Sequence, residues 1–262
     1  MKQLLIALFT TVMCPALAHQ QQASIDSGAA AVTIDLKNYW PFPQLTVNNN
    51  LIENFVVIDA QGKKSPGQYI RYRLWSPPTD SMFTSDQFGP DGVWMGSEGL
   101  NLLSTGMVEF TDINGPFYTS QGFPPQVTFD IPIFWGNTAR AGSQFGSQFH
   151  SNAWTPNDAN AYWHWGWRTL NIGFIAASYT VNGNTYNNVV AMRDTQAVCN
   201  DSTCSSTSNS NAVYYLGQDC SSGTCQGIGI IQYDWYDSNM NYTGSFYLDK
   251  LCWGPDTQSS CP

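Results

Sequence analysis

Basic residues and glutamates are what this 262-residue chain has least of. It carries ten Lys and Arg, three His (His19, His150 and His164) and three Glu (Glu53, Glu98 and Glu109). With 11% charged residues and a net charge of −9, it has no clustered positive charge for nucleic acid or an anionic membrane. It lacks a Gly-x-Ser-x-Gly elbow, a His-Glu-x-x-His pair and a Gly-Lys-Ser phosphate loop, which removes the commonest signatures of serine hydrolases, zinc proteases and nucleotide-binding enzymes. Beyond residue 18 no apolar run is long enough to cross a bilayer, so no membrane span is expected. The 22 Gly and 14 Pro are spread throughout, which argues against long helices.

In place of charge there are Asn, Ser, Thr, Gly and Gln, with 14% aromatic residues. The apolar run from Leu4 to Met13, followed by Ala16-Leu17-Ala18, reads as a cleaved secretory signal over residues 1–18. Residues 19–30 show no apolar period and read as a flexible arm, leaving 31–262 as a single domain. The expected location is extracellular, or periplasmic in a bacterium. After the signal, six cysteines remain, all in the last third. Their even count and repeated C-x4-C spacing point to the disulfides Cys199–Cys204, Cys220–Cys225 and Cys252–Cys261. A four-thiolate zinc site is the alternative.

Runs rich in β-branched and aromatic residues are expected as strands at 31–36, 54–58, 68–75, 107–111, 127–135, 163–181, 185–192, 212–216, 228–235 and 245–253. In the clearest alternation Ile70, Tyr72 and Leu74 oppose Tyr69, Arg71 and Arg73. Asn182-Gly183 is a strong hairpin signal, because both residues tolerate positive φ. The class is all-β, a two-sheet antiparallel sandwich or jelly roll with long loops and a disulfide-pinned C-terminal third. The segment 136–161 shows neither period and is expected as a long loop folding over the strand that follows.

That strand opens Tyr162-Trp163-His164-Trp165-Gly166-Trp167-Arg168. A one-residue bulge near Arg168 and Thr169 would place Trp163, Trp165 and Trp167 in the core with Leu170, Ile172 and Phe174. Tyr162, His164 and Arg168 would then face a ligand beside Gly166. Without the bulge the tryptophans form a platform for sugar rings. The ligand-binding candidates are therefore Tyr162, His164, Arg168, Trp163, Trp165, Trp167 and His150.

For chemistry on a glycan, two carboxyls must flank the scissile bond. Glu98 with Glu109 is the favoured pair and His164 a further catalytic candidate. Glu109 and Asp112, three apart, would point to different faces of a regular strand. No cofactor is otherwise implied, but a histidine left at a processed N-terminus can chelate copper through its amine and ring nitrogen. His19 with His150 or His164 could complete such a brace. In that residue, and as a secreted β-sandwich, the chain resembles the lytic polysaccharide monooxygenases. The resemblance implies a copper-dependent polysaccharide oxidase.

The leading expectation is a secreted β protein engaging an extracellular glycan, by binding or by cleavage. The alternatives are an extracellular protein-interaction or surface-structural module and the copper oxidase. Oligomeric state is left open by the sequence.

Overall fold

Alternation at period two, repeated along almost the whole chain, lets each strand bury one face and pair with its sequence neighbour. The computed structural model describes residues 32–59, 61–75, 81–120, 126–151, 165–199 and 203–262. The signal segment, the arm and His19 lie outside the described residues.

A small sheet pairs β1 (Ile34–Asp35) with β8 (Thr138–Ala139). The other strands among the described residues are β2 (Asn50–Ile58), β3 (Lys64–Leu74), β4 (Met82–Phe88), β5 (Trp94–Leu102), β6 (Gly106–Asn114) and β7 (Gln126–Gly136). They continue as β9 (Gln144–Ser151), β10 (Trp165–Val181), β11 (Asn184–Cys199), β12 (Thr207–Asp219), β13 (Gln226–Tyr236) and β14 (Tyr242–Gly254). Together they form one antiparallel sheet in the order β10-β11-β12-β13-β14-β2-β3-β4-β5-β6-β7-β9. Pairing of β9 with β10 closes it into a barrel. The expected all-β antiparallel class holds. Closure removes the free sheet edges that would otherwise invite association.

Closure depends on a strand that the sequence hides. Residues 144–151 fall in the segment expected as a loop, yet they pair with β10 on one side and β7 on the other. The repeated Gly-Ser-Gln-Phe masks the alternation there, with Phe149 buried and Gln148 exposed. Strands β4 and β5 were also not expected, because Thr, Ser, Asp and Gly supply much of their buried surface.

The Asn182-Gly183 turn forms as expected, with φ of 49° and 84°. In β3, Ile70 and Tyr72 are buried with Leu51, Phe55, Phe83, Ile231 and Leu248 in the larger of two apolar clusters. Each such side chain stabilises the fold by about 1.5–3 kcal/mol. The second cluster gathers Leu170, Ile172, Val190, Met192 and Leu216 around Leu36 and Tyr39.

Those last two residues belong to a 3-10 helix, Leu36–Tyr39, which begins at the last residue of the strand expected over 31–36. Asp35 caps it by accepting from the Lys37 backbone N–H at 3.2 Å, and the Leu36 N–H donates to the Asn137 carbonyl at 2.7 Å. Gly227 lets the helix come close, since a Cβ there would lie 2.4 Å from the Tyr39 carbonyl carbon. The helix contacts β6, β12 and β13 and so packs against distant parts of the ring.

All three expected disulfides are present: Cys199–Cys204, Cys220–Cys225 and Cys252–Cys261. They exclude the zinc site and fit an oxidising compartment. No helix among the described residues is long and apolar enough to cross a membrane.

Candidate functional site

Pairing of β10 is continuous from Gly166 to Ile172 on β11 and from Trp165 to Asn171 on β9. The register shifts only between Ile172 and Phe174, so the bulge expected near Arg168 lies further along. Arg168 therefore shares its face with Leu170 and Ile172, the barrel interior, and Trp167 points outward with 43% of its surface exposed. Phase had suggested the reverse, with Trp167 in the core. A guanidinium occupies an inner position that composition would assign to an apolar residue.

Gly166 precedes it for a steric reason. A Cβ there would stand 2.1 Å from the Ala197 carbonyl oxygen. Trp163, His164 and Tyr162 lie outside the described residues, as do residues 152–161 of the expected loop. The backbone of Trp165 pairs with His150. His150 is three residues from Ser147, the cross-strand partner of Arg168, and so sits on the opposite face of β9. Arg168 and His150 are not brought together. Among the described residues no group of three His, Cys, Asp or Glu could hold a metal.

The inner face around Arg168 encloses a cavity of about 340 Å³, within the ordinary range of small-molecule sites. One wall is β5 and β6. Glu98 pairs directly with Asp112, and Leu100 with Glu109, so Phe110 is skipped in the register. This bulge turns Glu109 and Asp112 to the same side, although a regular strand would separate them. Another wall is β10 to β13, with Arg168, Asp194, Tyr214 and Trp235. Leu36, Lys37 and Trp40 line it from the 3-10 helix and the residue that follows it. Trp235, 39% exposed, and Lys37, also exposed, mark where the cavity meets solvent.

Arg168 organises the polar groups. Its Nε donates to both carboxylate oxygens of Asp194, at 3.0 and 2.9 Å, and its Nη2 to Oδ2 at 2.6 Å. Its Nη1 donates to Glu109 Oε2 at 2.6 Å. Burial opposes the charge, but Asp194 and Glu109 hold the guanidinium ionised well above its usual range.

Glu98 and Asp112 respond differently. Burial, then the Glu109 carboxylate, pushes the Glu98 carboxyl up to about 8, with Arg168 opposing. Asp112 is raised well above the usual carboxyl range by burial and by Glu109 and Glu98, and it donates a hydrogen bond to Glu109. The cavity therefore pairs Glu109 and Asp194 with one cation and holds two further acids, Glu98 and Asp112, that keep their protons above the usual carboxyl range. Gln87 Nε2 donates to Glu98 Oε1 at 3.4 Å. Burial, then Asp194, raises the Tyr214 hydroxyl, which stays neutral.

Of the residues singled out by sequence, Glu98, Glu109 and Arg168 line one cavity. Asp194, Tyr214, Tyr233 and Trp235 were missed. Alternation within Arg193-Asp194-Thr195 gives no sign of which residue faces inward, because both neighbours are polar too. Asp112 was set aside for a phase that the bulge reverses.

No protein-family model matches the chain, and no curated protein matches it. Two solved structures align with it at low similarity. One is a protein from Parabacteroides distasonis ATCC 8503 described as a lipoprotein, 11% identical with a TM-score of 0.40, the match covering 79% of this chain and 96% of that one. The other is a protein from Bacteroides fragilis NCTC 9343 described as an exported protein with a YmcC-like fold, 8% identical with a TM-score of 0.38, covering 85% of this chain and 100% of that one.

Proposed function

We propose that the protein is an extracellular barrel that engages a glycan by admitting a sugar unit into the cavity between β5–β6 and β10–β13. The observation that carries this reading is the chemistry of the lining. Amides and hydroxyls of Gln68, Gln87, Gln196 and Ser210 stand with Glu98 and Asp112, two acids that burial holds above the usual carboxyl range, and Trp235 sits at the opening. Neutral donors and acceptors match sugar hydroxyls, and an indole face at the rim matches the apolar face of a pyranose. The disulfides and the scarcity of charge fit an exported protein.

A glycan array followed by calorimetry on the hits tests this. Binding that weakens at least about tenfold in Trp235→Ala, a loss of about 1.4 kcal/mol, is the expected result. An array without hits would sink the reading.

A protein-interaction module is the second reading, favoured by the outward Trp167 together with exposed Tyr242 and Trp253. Sedimentation separates the two, because an adhesive outer face predicts self-association that Trp167→Ser abolishes and sugars leave unchanged.

A further inference from the structure

Carboxyl groups in the cavity outnumber the cations facing them. Glu98, Glu109, Asp112 and Asp194 line it with Arg168, and Arg168 is committed to Glu109 and Asp194. Lys37, the other cation of the lining, is paired at 3.1 Å with Asp35. Among the described residues neither Glu98 nor Asp112 forms an ion pair, although their strands pair at these positions.

A second observation is independent of charge. Among the described residues, two polar atoms in the same lining are buried without a hydrogen-bond partner: Asp112 Oδ1 and the hydroxyl of Tyr233, a residue only 2% exposed. Buried polar groups of native proteins are nearly always satisfied, so an unmet acceptor and an unmet hydroxyl in one cavity are groups that an occupant completes.

We propose that the occupant is an amine-bearing sugar, whose ammonium meets the Glu98–Asp112 wall while its hydroxyls meet the amides and Tyr233. This rests on the glycan reading and narrows it. An ammonium is a compact cation with three donors and no acceptor, which suits a wall of acceptors lacking a cation. A neutral sugar would satisfy the hydrogen bonds but would bring no cation to the two carboxyls that lack one. An anionic sugar would meet four carboxyl groups and a chain of net charge −9.

Binding also carries a proton balance. A carboxylic acid facing the incoming ammonium gives its proton to solvent and becomes a carboxylate, so one charge enters as one proton leaves. Arg168, Lys37, Glu109, Asp194, Tyr214 and Tyr233 are the other charged and titratable groups of the described lining, and none of them needs to change state.

The test is calorimetry on the full chain at pH 6.5, in two buffers of different ionisation enthalpy. Three probes are compared: a glucosamine oligomer, the matching N-acetylglucosamine oligomer and a simple alkylamine. The expected result is affinity for the amino oligomer at least about tenfold above the N-acetylated one, as a charge-assisted contact supplies. About one proton should be released on binding, as the linkage of an acid to a cation requires. Glu98→Gln with Asp112→Asn should erase the preference for the amino oligomer and the proton release that goes with it.

Equal affinity for the two oligomers would overturn the inference and leave the glycan reading standing. Failure of every sugar to bind would overturn the reading itself. An alkylamine binding as tightly as the oligomer would overturn the sugar component and leave an ammonium site. If the double variant does not fold, the wild-type measurement decides, because tight binding with no proton release contradicts the proposal.

Discussion

Arg168 on β10 reaches over β9 and β7 to hold Glu109 on β6, with 2.6 Å between Nη1 and Oε2, while its remaining donors grip Asp194 on the neighbouring β11. One guanidinium thus ties together parts of the barrel wall that are three strands apart. Closure through β9 makes this geometry available, because without that strand β7 and β10 would be the two edges of an open sheet. The same ion pairs leave Glu98 and Asp112 without a cation, so the stability of the wall and the acidity of the cavity have a common origin.

Replacing Arg168 with Met should destabilise the protein by about 3–5 kcal/mol, because removing one partner of a buried pair strands the remaining charges. Arg168→Lys should recover only part of this, since an ammonium cannot reproduce the fork on Asp194 together with the bond to Glu109. Urea denaturation of the three proteins measures it. A loss under about 1 kcal/mol in Arg168→Met, the level of a surface ion pair, would show that Arg168 does not bind the walls together.

Stability should fall as the pH rises. An unfolded glutamate loses its proton near 4.5, whereas folded Glu98 keeps its own up to about 8, and Asp112 is also held above the usual range. Between those values the folded protein binds more protons than the unfolded chain, so raising the pH favours unfolding by about 1.4 kcal/mol per unit and group. The contribution of Glu98 is complete below about 4.5 and is lost as the pH passes through about 8. Denaturation midpoints at pH 5, 6, 7 and 8 should decline in the wild type and decline less in Glu98→Gln. Parallel slopes in the two proteins would contradict the assignment of a neutral Glu98.

Much of this fold was legible in the sequence where apolar residues carried the alternation. Ile70 and Tyr72 in β3, the Asn182-Gly183 turn and the C-x4-C disulfides all signalled their roles by local chemistry. Legibility failed where the inner face is polar. Arg168, Asp194 and Glu109 occupy positions that a hydrophobic pattern cannot find, and small polar residues conceal β4, β5 and β9. Register failed for another reason. A bulge leaves no fixed residue signature, so the shift at Phe110 and the one after Ile172 could not be placed from sequence. Those two shifts decide which side of β6 carries Asp112 and which phase β10 follows.

Gly166 should tolerate no side chain. In Gly166→Ala the new Cβ would collide with the Ala197 carbonyl at 2.1 Å and crowd Phe149 at 3.0 Å. The first contact is with backbone, so β10 and β11 must separate beside Arg168, and a cost of about 1–3 kcal/mol is expected from overpacking. Gly146→Ala is the control on the neighbouring strand, where the nearest atom is 3.9 Å away. Equal thermal midpoints for the two variants would contradict the close approach.

Loss of the Cys252–Cys261 bridge should release the C-terminal tail before the barrel opens. That tail is docked by two bonds between Asn54 and Cys261, at 2.8 and 3.1 Å, and by Arg71 donating to the carbonyls of Asp256 and Gln258. Arg71 is itself held against Asp86 at 2.8 Å, so the docking surface is rigid without the tail. Loop-closure entropy for a bridge of this span is about 2.5 kcal/mol, comparable to what a few hydrogen bonds contribute. In Cys252→Ser with Cys261→Ser, carboxypeptidase should trim the last residues while near-ultraviolet circular dichroism from the barrel aromatics persists. If the tail remains intact in the double variant, the hydrogen bonds to Asn54 and Arg71 hold it without the bridge. If the aromatic signal collapses together with trimming, the tail is part of the barrel's cooperative unit.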